Sequence, residues 1–198
     1  MNDEWALRVV LTAVMLSILP FGIYHRMRSQ SGERLDRRQE GAFVLATLRP
    51  VGAVFWLSMF AWMINPAWLA WSSLPLPIWL RWIGVPALLC GSSLLVWTFR
   101  ALGTNLTDTV VTREKHTLVT HGPYFWIRHP LYSSAALVIV GMSLIASNWF
   151  LFVTGVVVLA ILILRTRTEE SNLVARFGDG YQQYMDRTGR FVPRIGRS

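Results

Sequence analysis

Residues 131–164 read LYSSAALVIVGMSLIASNWFLFVTGVVVLAILIL, and not one of them carries a charge. A helix rises 1.5 Å per residue, so about 20 apolar residues cross a hydrocarbon layer of about 30 Å. This stretch is too long for one crossing and slightly short for two. It divides at Asn148 into Leu131–Ser147 and Trp149–Leu164, a tight helical hairpin turned on one polar residue.

Working outward, three more apolar runs precede it. They are Trp5–Tyr24, interrupted only by Arg8 and Pro20, then Phe43–Ile64, then Trp79–Leu102 with Arg81 and Arg100 near its ends. The fold class is therefore all-α: a polytopic membrane protein with about five transmembrane helices. Composition agrees, with 53% hydrophobic and 15% charged residues and a mean hydropathy of +0.40. Soluble domains are about a quarter charged. Outside the runs no stretch could fold alone, so residues 1–198 read as one domain. Residues 1–102 hold three spans, and 103–198 hold a loop, the hairpin and a tail. The first run follows Asp3 and Glu4, is too long for a signal peptide and has no small-x-small cleavage site, so it reads as an uncleaved helix.

The net charge of +8 comes almost wholly from arginine, and the arginines sit beside the apolar runs rather than on a polar surface helix. That argues against nucleic acid and for membrane topology. His25–Ala42 carries Arg26, Arg28, Arg34, Arg37 and Arg38; the loop before the hairpin carries Arg113, Lys115 and Arg128; seven more arginines follow Leu164. NPAWLAWSSLPLP (residues 65–77) and the turn at Asn148 carry none. The positive-inside rule then predicts an outer N-terminus and a cytoplasmic C-terminus, with Trp68, Trp71, Trp79 and Trp82 as an outer aromatic belt. The one cysteine, Cys90, lies within a run and reads as inert packing.

Two cytoplasmic pieces carry the polar chemistry. The loop ends HTLVTHGPYFWIRHPLYSS (residues 116–134), with Gly122-Pro123 as a turn and Pro130 in the first turn of the next helix. Taken singly its residues have plain roles: Arg128 snorkels, His129 caps, Tyr124 and Trp126 anchor the interface. The tail, RTRTEESNLVARFGDGYQQYMDRTGRFVP (residues 165–193), starts helically, stops at Gly178 and continues as a second short helix. Arg165 and Glu169 share a helix face at i, i+4. As an exposed pair in the weaker orientation they are worth under ~1 kcal/mol, yet a carboxylate held at the membrane boundary is costly without a role.

The two blocks, in this order around a two-helix hairpin, resemble the isoprenylcysteine carboxyl methyltransferases, and more broadly the integral-membrane methyltransferases that include phospholipid methyltransferases. The likeness covers Gly103–Pro193. It implies an S-adenosyl-L-methionine site facing the cytoplasm, lined by His116, Thr117, Leu118, Val119 and Tyr124, then His129, Pro130, Leu131 and Tyr132. By the same resemblance Glu169 holds the amino acid end of the cofactor and Arg165 meets the acceptor's carboxylate; no metal is implied. A glutamine of eukaryotic members has no counterpart here, Thr109 or Thr112 standing near its place. The implied acceptor is an isoprenylcysteine-like lipid, with a phospholipid amine or small thiol as the alternative; the short chain, separately, reads as a protein of a prokaryotic inner membrane. Outside the class stand a nicotinamide-dependent sterol reductase of related architecture and a non-enzymatic scaffold or transporter component. The last predicts charge at span centres, where only Arg49 comes near.

Overall fold

The computed structural model describes residues 3–29, 42–103 and 117–194, apart from the side chains of residues 26, 28, 29 and 42–45. His116, Thr109 and Thr112, singled out above, lie outside the described residues. Among the described residues six α-helices follow in order: α1 (Asp3–Ser29), α2 (Ala42–Ile64), α3 (Ile78–Leu102), α4 (Pro130–Ala146), α5 (Trp149–Phe177) and α6 (Asp179–Arg187). Short 3-10 turns occupy Pro66–Ser72 and Gly122–Phe125. Among the described residues there is no strand, only two isolated bridges.

Four helical stretches are long and apolar enough to cross a membrane: Asp3–His25, Ala46–Ile64, Ile78–Leu102 and Trp149–Phe177. α4 is apolar but shorter, its 17 residues rising about 25 Å. The expected five-helix membrane bundle is thus present, with its hairpin formed by α4 and α5. The prolines Pro20, Pro50 and Pro86 lie inside α1, α2 and α3 without ending them, as lipid-embedded helices tolerate when neighbours satisfy the freed carbonyls.

One boundary and one burial differ from the sequence reading. The fifth helix does not stop at Leu164 but runs unbroken to Phe177, where Gly178 takes a positive φ of 54°. At about 43 Å it exceeds the hydrocarbon thickness, so its last turns lift Arg165, Glu169 and Glu170 beyond the apolar part. Cys90 is not internal packing: it is exposed on the outside of the bundle.

Side chains at helical spacing build the core. Leu7, Leu11 and Met15 of α1 meet Phe55, Met59 and Trp62 of α2, with Leu88, Met142, Ile145 and Leu151 completing it. α3 and α4 approach through small residues. A Cβ on Gly141 would lie 2.6 Å from the Leu88 nitrogen, and one on Gly84 would lie 2.7 Å from the Gly141 carbonyl oxygen. Lipid tails are as apolar as leucine, so such close backbone contact, rather than a hydrophobic force, holds membrane helices together.

The hairpin turn is fixed by hydrogen bonds. Ser147 adopts φ 51°, in the left-handed region, and Asn148 caps α5 by accepting from the Leu151 amide at 3.1 Å. The Asn148 amide group donates to the Leu69 carbonyl at 3.1 Å and to Ser72 Oγ at 2.8 Å. Two arginines close helix ends nearby, where they complement the dipole. Arg81 donates to the Ile145 carbonyl and forks onto Glu4 at 2.5 and 3.1 Å, while Arg8 donates to the carbonyls of Met63 and Ile64. The tryptophans Trp68, Trp71, Trp79 and Trp82 are exposed around this end.

Candidate functional site

At the opposite end, the start of α4, the last turns of α5, the 3-10 turn, α6 and the segment after it converge. The RHP step places Arg128 and His129 just before α4, with Pro130 at its first position. Gly122 takes φ 63° and packs against Ala101 and Trp97 of α3, which fixes the approach of the loop.

Tyr132 and Glu169 form the centre. The Tyr132 hydroxyl donates to Glu169 Oε2 at 2.8 Å. The buried His129 ring stacks on the Tyr132 ring at 5.4 Å and 4°, and its Nδ1 lies 3.9 Å from Glu169 Oε2. Arg165 is half-buried one turn earlier on α5, near enough for its charge to act on the Tyr132 hydroxyl. Glu169 keeps 31% of its side chain exposed, and among the described residues its Oε1 accepts no hydrogen bond. Tyr124 sits close enough that burial first, then the Glu169 charge, pushes its pKa well above the ordinary value. Its carbonyl accepts from the Tyr184 hydroxyl at 2.6 Å. Burial also raises Tyr184, to about 12 against the pull of Arg128, and Tyr181 further still. All three phenols therefore stay neutral hydrogen-bonding groups at physiological pH.

Behind this centre is a second carboxylate that the sequence reading passed over. Glu170 is buried, and its Oε1 accepts from Arg128 Nε at 3.0 Å, His129 Nε2 at 3.1 Å and Arg190 Nε at 3.2 Å. Its Oε2 accepts from the other arm of Arg190. Arg128 also donates to the carbonyls of Met185 at 2.9 Å and Thr188 at 2.5 Å. The simple readings of the loop thus fail at two residues. Arg128 does not snorkel but is buried in an ion pair, and His129 stands at the cap position without a side-chain cap bond, its ring committed to Glu170. Neighbouring residues on a helix point about 100° apart, so Glu169 and Glu170 could meet only on opposite edges of a shared partner such as His129; that adjacency was the available signal.

The structure brings together five of the expected residues: Tyr124, His129, Tyr132, Arg165 and Glu169. Pro130 is buried and Leu131 half-buried at the start of α4 beneath them. Thr117, Leu118 and Val119 lie in a non-helical lead-in to the 3-10 turn, Thr117 exposed and the other two half-buried. Among the described residues, the hydrogen bonds that join the cluster do not reach Leu118 or Val119. Arg190, twenty residues from Glu170, left no signal in spacing or period.

With this geometry in view, comparison with known proteins is informative. The family description phospholipid methyltransferase matches residues 79–180, which span α3 to the start of α6. The chain is 32% identical over 129 residues to the human protein-S-isoprenylcysteine O-methyltransferase, covering 63% of this chain and 45% of that protein. It is 38% identical over 86 residues to the cobalt-zinc-cadmium resistance protein CzcN of Cupriavidus metallidurans, covering 42% of this chain and 38% of that one. It thus spans less than half the length of these relatives. Among solved structures it is similar to a eukaryotic intramembrane Ras methyltransferase, an isoprenylcysteine carboxyl methyltransferase, with TM-score 0.53 and 27% identity over 74% of this chain and 52% of that one. The match runs through the very helices that carry Tyr132, Glu169 and Glu170, and the chain belongs to the phospholipid methyltransferase family of integral-membrane proteins, with the isoprenylcysteine carboxyl methyltransferases among its relatives.

Proposed function

We propose that this chain, acting as one domain, transfers a methyl group from S-adenosyl-L-methionine to the carboxylate of an isoprenylcysteine-like lipid at the cytoplasmic face of a prokaryotic inner membrane. The observation that carries the reading is the contrast between the two carboxylates. Glu170 is saturated by cations, whereas Glu169 is partly exposed, is aligned by the Tyr132 hydroxyl, and among the described residues its Oε1 accepts no hydrogen bond, which suits it to an ammonium group. The residues present therefore fit the cofactor: Glu169 for its ammonium, Tyr124 and Tyr132 as neutral walls, with Thr117, Leu118, Val119, His129, Pro130 and Leu131 as the rest of the lining.

When bound, the cofactor supplies an electrophilic sulfonium methyl. The chain's part is then to position and partly desolvate the two reactants. Arg165 stands on the Glu169 face of α5, at the point where the helix leaves its apolar run. A planar guanidinium there can hold a carboxylate through two parallel hydrogen bonds, without an enzyme-bound covalent intermediate. A lipid chain gains about 0.8 kcal/mol per buried CH₂, so the acceptor stays in the bilayer while the charged cofactor arrives from water. A site at the helix-exit boundary serves both.

Purified protein in detergent, incubated with labelled adenosylmethionine and separate prenylcysteine, phospholipid-amine and thiol acceptors, tests the reading. Label in the prenylcysteine supports it. Label only in the amine favours the phospholipid reading, which the matched family description also supports, and no label in any acceptor overturns it. Glu169→Gln should weaken cofactor binding roughly ten- to a hundred-fold, the loss expected for a charge-assisted bond of about 1.5–3 kcal/mol. Arg165→Ala should leave binding nearly intact and sharply reduce turnover of a carboxylate acceptor, with Arg165→Lys rescuing it only in part. An amine acceptor would be indifferent to Arg165.

A further inference from the structure

The segment from Thr188 to Phe191 lies across the RHP step like a strap. The Arg128 amide donates to the Gly189 carbonyl at 2.8 Å, the Gly189 amide to the Trp126 carbonyl at 3.1 Å, and the His129 amide to the Arg190 carbonyl at 3.0 Å. Ser133 Oγ donates to the Phe191 carbonyl at 2.6 Å, and the Phe191 ring lies 5.7 Å from that of His129. Gly189 leaves no room for a side chain, since a Cβ there would run into the Val192 carbonyl. The strap is joined to α5 by the ion pair between Arg190 and Glu170. Glu170 also holds His129, whose other face carries Tyr132, and Tyr132 in turn orients Glu169. A continuous chain of contacts thus runs from Arg190 to the carboxylate assigned to the cofactor.

We propose that Glu170 and Arg190 are positioning residues: together they dock the C-terminal strap onto the RHP step and so set His129, Tyr132 and Glu169 in the arrangement that receives the cofactor. The inference rests on the methyltransferase reading of Glu169. Its physical basis is burial. Side-chain exposure is 9% for Glu170 and 12% for Arg128 but 38% for Arg190. A carboxylate in such surroundings holds its partners rigidly because leaving any one of them unpaired is costly. Arg190 is the member that can be changed safely, since Glu170 then keeps Arg128 and His129 and no buried charge is stranded.

The test compares wild type, Arg190→Gln, Arg190→Lys, Glu169→Gln and the Arg190→Gln/Glu169→Gln pair, all full-length in detergent. Amide hydrogen exchange without cofactor should accelerate about tenfold at Arg128, His129 and Gly189 in Arg190→Gln, the size of effect that losing one charged hydrogen bond carries. Arg190→Lys should restore part of the protection. Calorimetric titration with adenosylmethionine should show about tenfold weaker binding in Arg190→Gln. That loss should fall below about twofold when Glu169 is already Gln, because interacting sites are not additive. Unchanged exchange at those amides overturns the strap. Unchanged affinity, or a full tenfold loss in both backgrounds, overturns the positioning role, since a merely structural Arg190 would act independently of Glu169. Wild type that binds no adenosylmethionine sinks the functional reading and the positioning role with it, while accelerated exchange in Arg190→Gln would still stand for the strap alone.

Discussion

Glu169 and Glu170 are the same side chain one peptide apart, and their surroundings make them different groups. Glu170 is enclosed by Arg128, His129 and Arg190, whereas Glu169 reaches the Tyr132 hydroxyl and the outside. Removing one partner of a buried ion pair typically costs about 3–5 kcal/mol, because the remaining charge has no water to return to. A hydrogen bond from a neutral hydroxyl to a partly exposed carboxylate is worth less, about 1.5–3 kcal/mol at most. Glu170→Ala should therefore lower the thermal midpoint of the detergent-solubilised protein far more than Glu169→Ala does. Thermal unfolding followed by circular dichroism decides it, and equal shifts would show that burial does not separate the two glutamates. At this scale the sequence placed His129 three residues before Tyr132 and an adjacent pair of acids in the tail. It did not show which glutamate each partner takes, since a one-residue step turns a side chain by about 100° and burial depends on what lies across the gap.

Among the elements, α3 and α4 depend on each other most directly. A Cβ on Gly141 would fall 2.6 Å from the Leu88 nitrogen and 2.9 Å from its Cα, both backbone atoms that cannot swing aside. Gly141→Ala should force the helices apart and cost about 1–3 kcal/mol, the usual penalty of overpacking. Gly52 makes the control: it is also within a helix, but nothing lies within 4 Å of the place its Cβ would occupy. Gly52→Ala should be neutral or stabilising by up to about 1 kcal/mol, through helix propensity alone. Midpoints measured side by side check both, and a loss at Gly52 equal to that at Gly141 would remove the packing explanation. The elements themselves were largely legible. Apolar runs located three spans and the hairpin, and Asn148 marked the turn, because hydropathy and capping are local properties. Gly178 marked the end of the tail helix, but its unbroken continuity with the span was not legible, because hydropathy marks where lipid stops while the hydrogen-bond ladder runs on.

For the whole molecule, the two ends of the bundle have different chemistry. One end carries the Asn148 turn, the Arg81–Glu4 pair and the exposed tryptophans. The other carries the two glutamates, their cations and the strap. Among the described residues Arg128, Arg165, Arg187 and Arg190 belong to this second end, and cytoplasmic loops concentrate Lys and Arg. A reporter fused after the last residue should thus be cytoplasmic, and one inserted at Ser72 should be outside. A cytoplasmic signal at Ser72 would reverse the orientation and put the candidate site where no cytosolic cofactor reaches it. The sequence by itself determined that the chain is a helical membrane protein, which runs cross the bilayer, and which two segments hold polar chemistry. Those are properties of composition and period within about 20 residues, and they survive any particular packing. Only the tertiary structure decided that Arg128 and Arg190, 42 and 20 residues from Glu170, converge on it. An ion pair between distant segments exists only where α4, α5, α6 and the strap meet at one end of the bundle, and no local pattern records that meeting.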